Sequence, residues 1–227
     1  FLLTGGPGTG KTTVLQVVVS FYREHGKSVI LTAPTGRAAQ RMGSIAGLGA
    51  GAKTLHRLLE YKPDKEGFRY GHNEKNPIDA DVIIVDEVSM VDLLLMHHFL
   101  KAVKKETVLI FVGDNNQLPS VGAGNVLSDL IAAKKISHVH LTTVFRQAAR
   151  SRIVTAAHEM INGTVPVFSN SKSDNCFFMM QFQPQDCVDA IVKLISKRLP
   201  NSFGFDPVCD IQVLSPMHKG LLGTENL

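Results

Sequence analysis

Gly5-Gly6-Pro7-Gly8-Thr9-Gly10-Lys11-Thr12 fits the phosphate-binding pattern G-x-x-x-x-G-K-[ST] at every fixed position, and it constrains the fold more than any other stretch of the chain. Such a loop works only between a strand and a helix. Its glycines let successive backbone N–H groups turn inward around a phosphate chain, and the first turn of the helix adds unpaired N–H groups and the positive end of its dipole. The flanks agree with this. Phe1-Leu2-Leu3-Thr4 reads as the end of a buried strand, and Thr12 to His25 carries Val14, Leu15, Val18, Val19 and Tyr22 at helical spacing. Gly6, Pro7, Gly8, Thr9, Gly10, Lys11, Thr12 and Thr13 are therefore the expected nucleotide-binding residues. Lys11 brings a mobile positive charge to the β and γ oxygens, and Thr12 offers a hydroxyl to Mg²⁺. A nucleoside triphosphate is the implied ligand.

The rest of the chain alternates strand-like apolar runs with helical patterns. Ser28 to Ala33, Val82 to Val85, Val108 to Val112 and Val139 to Leu141 read as strands, the second and third as runs buried on both faces. Helices are expected over Thr35 to Ile45, Thr54 to Glu60, Val91 to Val103 and Asn125 to Ala133. This alternation predicts an α/β fold: a mostly parallel sheet with helices on both faces and ligands beyond the carboxyl ends of its strands. Past Phe145 the texture changes. A helix over Ser151 to Asn162 and a Ser/Asn-rich loop precede a strand (Phe177 to Phe182), a helix (Asp186 to Leu199) and a last strand (Ile211 to Leu214). The expected division is 1–147 for the first domain and 148–227 for an incomplete second one.

Two further segments carry chemistry. Asp86-Glu87 follows the apolar run Val82 to Val85, where an acid can hold Mg²⁺ and its neighbour can take a proton from attacking water. Asp86 is accordingly assigned to the metal with Thr12, and Glu87 to the water. Gly113 to Val121 follows the next run, and there Gln117 either reads the γ-phosphate or belongs to an Asx-rich turn with no ligand. Arg146, at the expected domain junction, either reaches across to the transferred phosphoryl group or makes an interdomain salt bridge.

In order along the chain, these segments resemble the motifs of the RecD-like (exodeoxyribonuclease V alpha-subunit-like) branch of superfamily 1 helicases, which move 5′ to 3′ on DNA. Gly5 to Thr13 resembles motif I, and Thr32-Ala33-Pro34-Thr35-Gly36-Arg37-Ala38-Ala39 motif Ia. Thr54 to Leu59 is similar to the short DNA-contacting motif that follows, Asp86 to Met90 to motif II, Gly113 to Val121 to motif III and Phe145-Arg146-Gln147 to motif IV. Leu214 to Gly220, with Gly223-Thr224, is similar to the opening of the family's second motor domain. The resemblance implies a RecA-like phosphate-loop NTPase domain plus the start of a second RecA-like domain. It implies ATP and Mg²⁺ as cofactors, with Lys11, Asp86, Glu87, Gln117 and Arg146 as the catalytic set. Thr35, Arg37, Thr54, His56 and Arg57 become contacts to single-stranded DNA, although Thr35 and Thr54 equally suit helix caps. A small hairpin inserted within 60–76 would meet duplex junctions; Lys62, Lys65, Phe68, Arg69 and Tyr70 suit stacking on bases, or a plain surface loop.

Departures from the family pattern qualify this. The chain opens without Met inside a strand and stops at Leu227, before motifs V and VI, so it reads as a piece of a longer protein, and Thr143 stands where relatives often carry an acid. The implied function is an ATP-dependent helicase motor in recombination and repair. The alternatives are an ATPase subunit of a multi-subunit exonuclease, with other repair or exonuclease subunits as partners, and an RNA-stimulated ATPase. A net charge of +4 is compatible with nucleic acid and decides little. Three scattered cysteines point to a reducing, cytoplasmic compartment, and no apolar run approaches the about 18 residues of a membrane helix.

Overall fold

A computed structural model describes residues 1–45, 51–64, 67–143, 151–169, 171 and 175–227. The chain divides into two compact units, Phe1–Val167 and Phe168–Leu227. The helix Arg152–Ile161 thus belongs to the first unit, beyond the residue-147 end expected for that domain.

In the first unit, six strands among the described residues form one parallel sheet: β1 (Leu2–Gly5), β2 (Val29–Ala33), β3 (Lys53–Thr54), β6 (Val82–Val85), β7 (Val108–Gly113) and β8 (His138–Leu141). Their order is β3-β2-β6-β7-β1-β8. The continuous apolar runs sit at its centre because both faces are covered. Ile83 and Val85 of β6 join Leu2 and Phe111 in a core with Leu55, Leu95, Phe99 and Leu127. Val82 and Ile84 face the other way, with Leu3, Leu31 and Val112, and pack against Leu15, Val19 and Met42. The period of two along a strand explains why one four-residue run feeds two cores.

Helices α1 (Lys11–Glu24) and α2 (Gly36–Ile45) cover the second face, while α3 (Leu55–Leu58), α4 (Leu93–Lys101) and α5 (Val126–Ala133) cover the first. Local chemistry sets their ends. The Asp92 carboxylate accepts from Leu95 N at 2.8 Å and caps α4, which therefore starts two residues later than its apolar pattern. At the opposite edge of the sheet, Asp81 accepts from the backbone N and the hydroxyl of Ser28 (2.8 and 2.7 Å), tying together the entries to β2 and β6. Those bonds and Lys27 hold its carboxyl down at about 2. Two short strands, β4 (Tyr61–Asp64) and β5 (Gly67–Tyr70), pair antiparallel as a separate hairpin between α3 and β6.

The final described helix of the first unit is α6 (Arg152–Ile161). In the second unit, α7 (Pro184–Lys193) runs through a π-helical turn (Leu194–Arg198) into α8 (Leu199–Phe203). The expected strands over Phe177 to Phe182 and Ile211 to Leu214 do not form. A strand exists only where another takes up its N–H and C=O groups, and among the described residues of this unit none does. Nor, among the described residues, does any apolar side chain of this unit join the buried core, which ends at Ala156.

Candidate nucleotide site

β1 lies between β7 and β8, so the strand order reverses around it and a crevice opens at its carboxyl end. The glycine-rich loop fills this place and leads into α1. Gly5 closes the strand where a Cβ would lie 2.6 Å from Thr9 Oγ1 and 2.9 Å from Leu141 O, so no larger residue fits. Gly10 stands at the N-cap position of α1 at φ 85°, a left-handed conformation, and no side chain caps the helix. The first N–H groups of α1 are thus left to an anion.

Side chains hold the loop in shape. Thr9, buried, donates to Gly6 O at 2.8 Å, and Lys11 Nζ donates to Gly5 O and to Gly6 O, the latter at 3.0 Å. Pro7 and Gly8 are exposed at the tip of the loop, and Thr13 is exposed on the first turn of α1.

Asp86 and Glu87 leave β6 two strands away. Asp86 N donates to Thr32 O at 2.9 Å, which continues the β2–β6 ladder, and Asp86 Oδ1 accepts from Glu87 N at 2.9 Å. Thr12 and Asp86 line one small cleft together with Leu15, Gln16 and Met42. The Thr12 hydroxyl and the Asp86 carboxylate, lining one cleft, are oxygen donors of the kind that Mg²⁺ takes. Glu87 is held at φ 54°, ψ 41°, left-handed for a residue with a Cβ, the kind of backbone strain that gathers at functional sites.

Burial raises the pKa of Asp86, with the Glu87 N–H, Lys11 and Arg41 pulling it down. Burial also raises that of Glu87, helped by the Asp86 and Asp114 charges and opposed by Lys11 and Arg41. A carboxyl raised in the folded state binds its proton more tightly there than in the unfolded chain. Its contribution to stability is therefore lost as pH climbs from the unfolded value through the folded one. Asp86→Asn removes this penalty. Thermal melts at neutral pH without nucleotide are expected to show a higher Tm for Asp86→Asn than for wild type, with a smaller further rise on adding Mg²⁺ and nucleotide. A lower Tm without nucleotide would contradict the assignment.

Gln117 follows β7 in a loop shaped by Asp114, whose Oδ1 accepts from Asn116 N at 3.0 Å and whose backbone O accepts from Gln117 N at 3.2 Å. The Gln117 side chain is exposed and lines a second small cleft with Ser89, Asp114, Asn115 and Ser128. The Oγ atoms of Ser89 and of Thr32 are buried without a protein partner. Arg146 lies outside the described residues.

The five residues assigned to DNA gather near the carboxyl ends of β2 and β3, which pair with Ala33 opposite Thr54. Thr35 Oγ1 accepts from Ala38 N at 3.3 Å and Thr54 Oγ1 from Arg57 N at 3.2 Å, so both hydroxyls cap helices. Arg37, His56 and Arg57 are exposed. The His56 ring meets Tyr61 edge-on (5.2 Å between centroids), Tyr61 meets Tyr70 across the hairpin, and Tyr70 stacks on His98 at 4.1 Å. An aromatic chain thus anchors the hairpin between α3 and α4.

Two charges near Asp86 and Glu87 carry no assignment from the sequence. Asp114 directly follows a buried strand just as Asp86 does, so its position carried a readable signal. Arg41 lies in the middle of α2, and no spacing marks it.

Comparison with known proteins follows the same lines. A family described as an AAA domain matches residues 1–176. The ATP-dependent RecD2 DNA helicase of Deinococcus radiodurans is 40% identical over 226 residues, which span 100% of this chain and 29% of that protein. The RecBCD enzyme subunit RecD of Mycolicibacterium smegmatis is 43% identical over 151 residues, 57% of this chain and 27% of that protein. The chain thus spans less than a third of the length of these curated relatives. Among solved structures, Pif1 helicase from Bacteroides in complex with ADP-AlF3 and single-stranded DNA matches 88% of this chain and 53% of its own, with TM-score 0.50 and 23% identity, a likeness of fold.

Proposed function

The chain belongs to the AAA-domain family, in its RecD-like superfamily 1 helicase branch, and from that premise we propose that it is part of an ATP-dependent DNA helicase motor moving 5′ to 3′ along single-stranded DNA. The observation that carries this reading is the carboxyl edge of one sheet, which presents a phosphate loop after β1, an acid pair after β6, a glutamine loop after β7 and exposed cations after β2 and β3.

Each group has a task there. The α1 N-terminus and the loop N–H groups take the phosphates of ATP, and Lys11 swings from the Gly5 and Gly6 carbonyls to the β and γ oxygens. Thr12 and Asp86 would hold Mg²⁺, which when bound would neutralise charge on the phosphate oxygens. Glu87, raised by burial and by its acidic neighbours, accepts the proton of the attacking water. Gln117 reports the γ-phosphate, and Arg146 stabilises the charge of the transferred phosphoryl group. Arg37, His56 and Arg57 contact phosphate and sugar, giving affinity without sequence choice, while the hairpin Tyr61–Tyr70 meets the duplex junction. The second unit, Phe168–Leu227, opens the second motor domain, and hydrolysis moves the two domains along the strand.

The tailed-duplex assay tests the direction. The full-length protein with ATP and Mg²⁺ is expected to unwind a duplex carrying a 5′ single-stranded tail and to leave a 3′-tailed duplex intact; the opposite preference would contradict it. The identity to a RecBCD subunit favours a second reading, an ATPase subunit of a multi-subunit exonuclease. Co-purification with a nuclease that depends on this ATPase would select it.

A further inference from the structure

α6 brings a second nitrogen donor to the phosphate loop. A Cβ built on Gly6 would stand 3.4 Å from His158 Cε1 and 3.9 Å from His158 Nε2, so the edge of the imidazole covers the loop at that residue. His158 is partly buried, yet its Nε2 is shielded from solvent and has no protein hydrogen-bond partner. A buried ring nitrogen left in this way carries a desolvation cost that a ligand oxygen reaching it would offset.

Gly6 is also where the loop's other polar side chains converge. Its carbonyl accepts from Thr9 Oγ1 at 2.8 Å and from Lys11 Nζ at 3.0 Å. Lys11 is the group that turns to the terminal phosphates, and it starts from the residue the His158 ring covers. The helix that carries the ring is braced. Arg152 makes two bonds to the Glu159 carboxylate, at 2.8 and 2.9 Å, and a third to Val167 O at 2.7 Å, while Ala156 is buried on the same helix. The imidazole is thus held on a fixed element.

We propose that His158 is a phosphate-contact residue of this nucleotide site: as Lys11 leaves the Gly6 carbonyl for the phosphates, Nε2–H is uncovered beside Gly6 and donates to an oxygen of the terminal phosphate. The inference rests on the nucleotide-site reading and adds a ligand contact from α6, six residues after its start at Arg152. The tautomer required carries its proton on Nε2.

The test is a pair of affinities measured on the full-length protein with Mg²⁺, one for ADP and one for the non-hydrolysable triphosphate AMP-PNP. His158→Phe keeps a ring against Gly6 and removes the donor; His158→Gln keeps a donor. His158→Phe is expected to bind AMP-PNP about tenfold more weakly with ADP held within about twofold, and His158→Gln to stay within about threefold of wild type for both. An unchanged AMP-PNP-to-ADP ratio in His158→Phe, whether both affinities fall together or neither moves, would overturn the proposal and leave the ring as packing. If the wild-type protein binds neither nucleotide, the nucleotide-site reading itself fails.

Discussion

Glu87→Gln is expected to bind ATP and not turn it over. Removing a general base lowers kcat by about 100- to 10,000-fold, and because glutamine keeps the shape of the side chain, nucleotide affinity should hold within roughly threefold. The structure supplies the reasons. Glu87 stands at the carboxyl end of a strand whose four residues are all buried, beside the acid assigned to the metal, and in a left-handed conformation the neighbouring packing must maintain. Val88, directly after it, is fully buried, so the turn is pinned on its far side as well. Single-turnover hydrolysis with enzyme in excess over nucleotide, set against equilibrium binding of the same nucleotide, separates the two effects. Normal turnover would remove Glu87 from the chemistry, and a large loss of binding would make it a structural residue of the site.

Lys11→Ala should fail one step earlier. The ammonium makes two bonds to the loop, to Gly5 O and Gly6 O, and both are to be exchanged for bonds to phosphate. Hydrogen bonds to charged groups contribute about 1.5–3 kcal/mol each, so losing two costs about 3 kcal/mol or more, which is at least a hundredfold in affinity. The loop keeps its Thr9-to-Gly6 bond and β1 keeps both of its neighbours, so the variant should fold. Titration calorimetry with ATP, alongside a thermal melt that shows the fold intact, measures this. Binding of ATP by Lys11→Ala at wild-type strength would end the phosphate-loop assignment.

Both variants concern residues that were legible in the sequence, and the reason is physical. A phosphate loop needs glycines, a lysine and a hydroxyl at fixed spacing, and a strand buried on both faces needs an unbroken apolar run. Such demands leave a linear trace: Val82–Val85 has the bounds its composition implies, and the loop sits where its flanks place it. Charges that act through space leave none. Arg41 is brought toward Asp86 and Glu87 by the pairing of β2 with β6 and the turn into α2, a relation no spacing encodes. His158 reaches Gly6 across more than 150 residues of chain in the same way. Thr35 and Thr54 show the converse. A hydroxyl before a helix suits a cap and a phosphate equally, and the structure engages both as caps.

The second unit was the least legible. Phe177 to Phe182 and Ile211 to Leu214 have strand composition, but composition supplies no partner, and Phe182 and Leu214 are 84% and 83% exposed. A helix satisfies its own backbone, which is why α7 forms close to its expected place while those segments form no strand.

On the proposed function, this edge of the sheet couples ATP hydrolysis to DNA. The most direct test is steady-state ATP hydrolysis by the full-length protein with Mg²⁺, alone, with single-stranded DNA and with RNA of the same length. Strong stimulation by DNA, with little by RNA, is the result expected. Hydrolysis indifferent to both nucleic acids would contradict the claim, leaving a phosphate-loop ATPase whose work lies elsewhere.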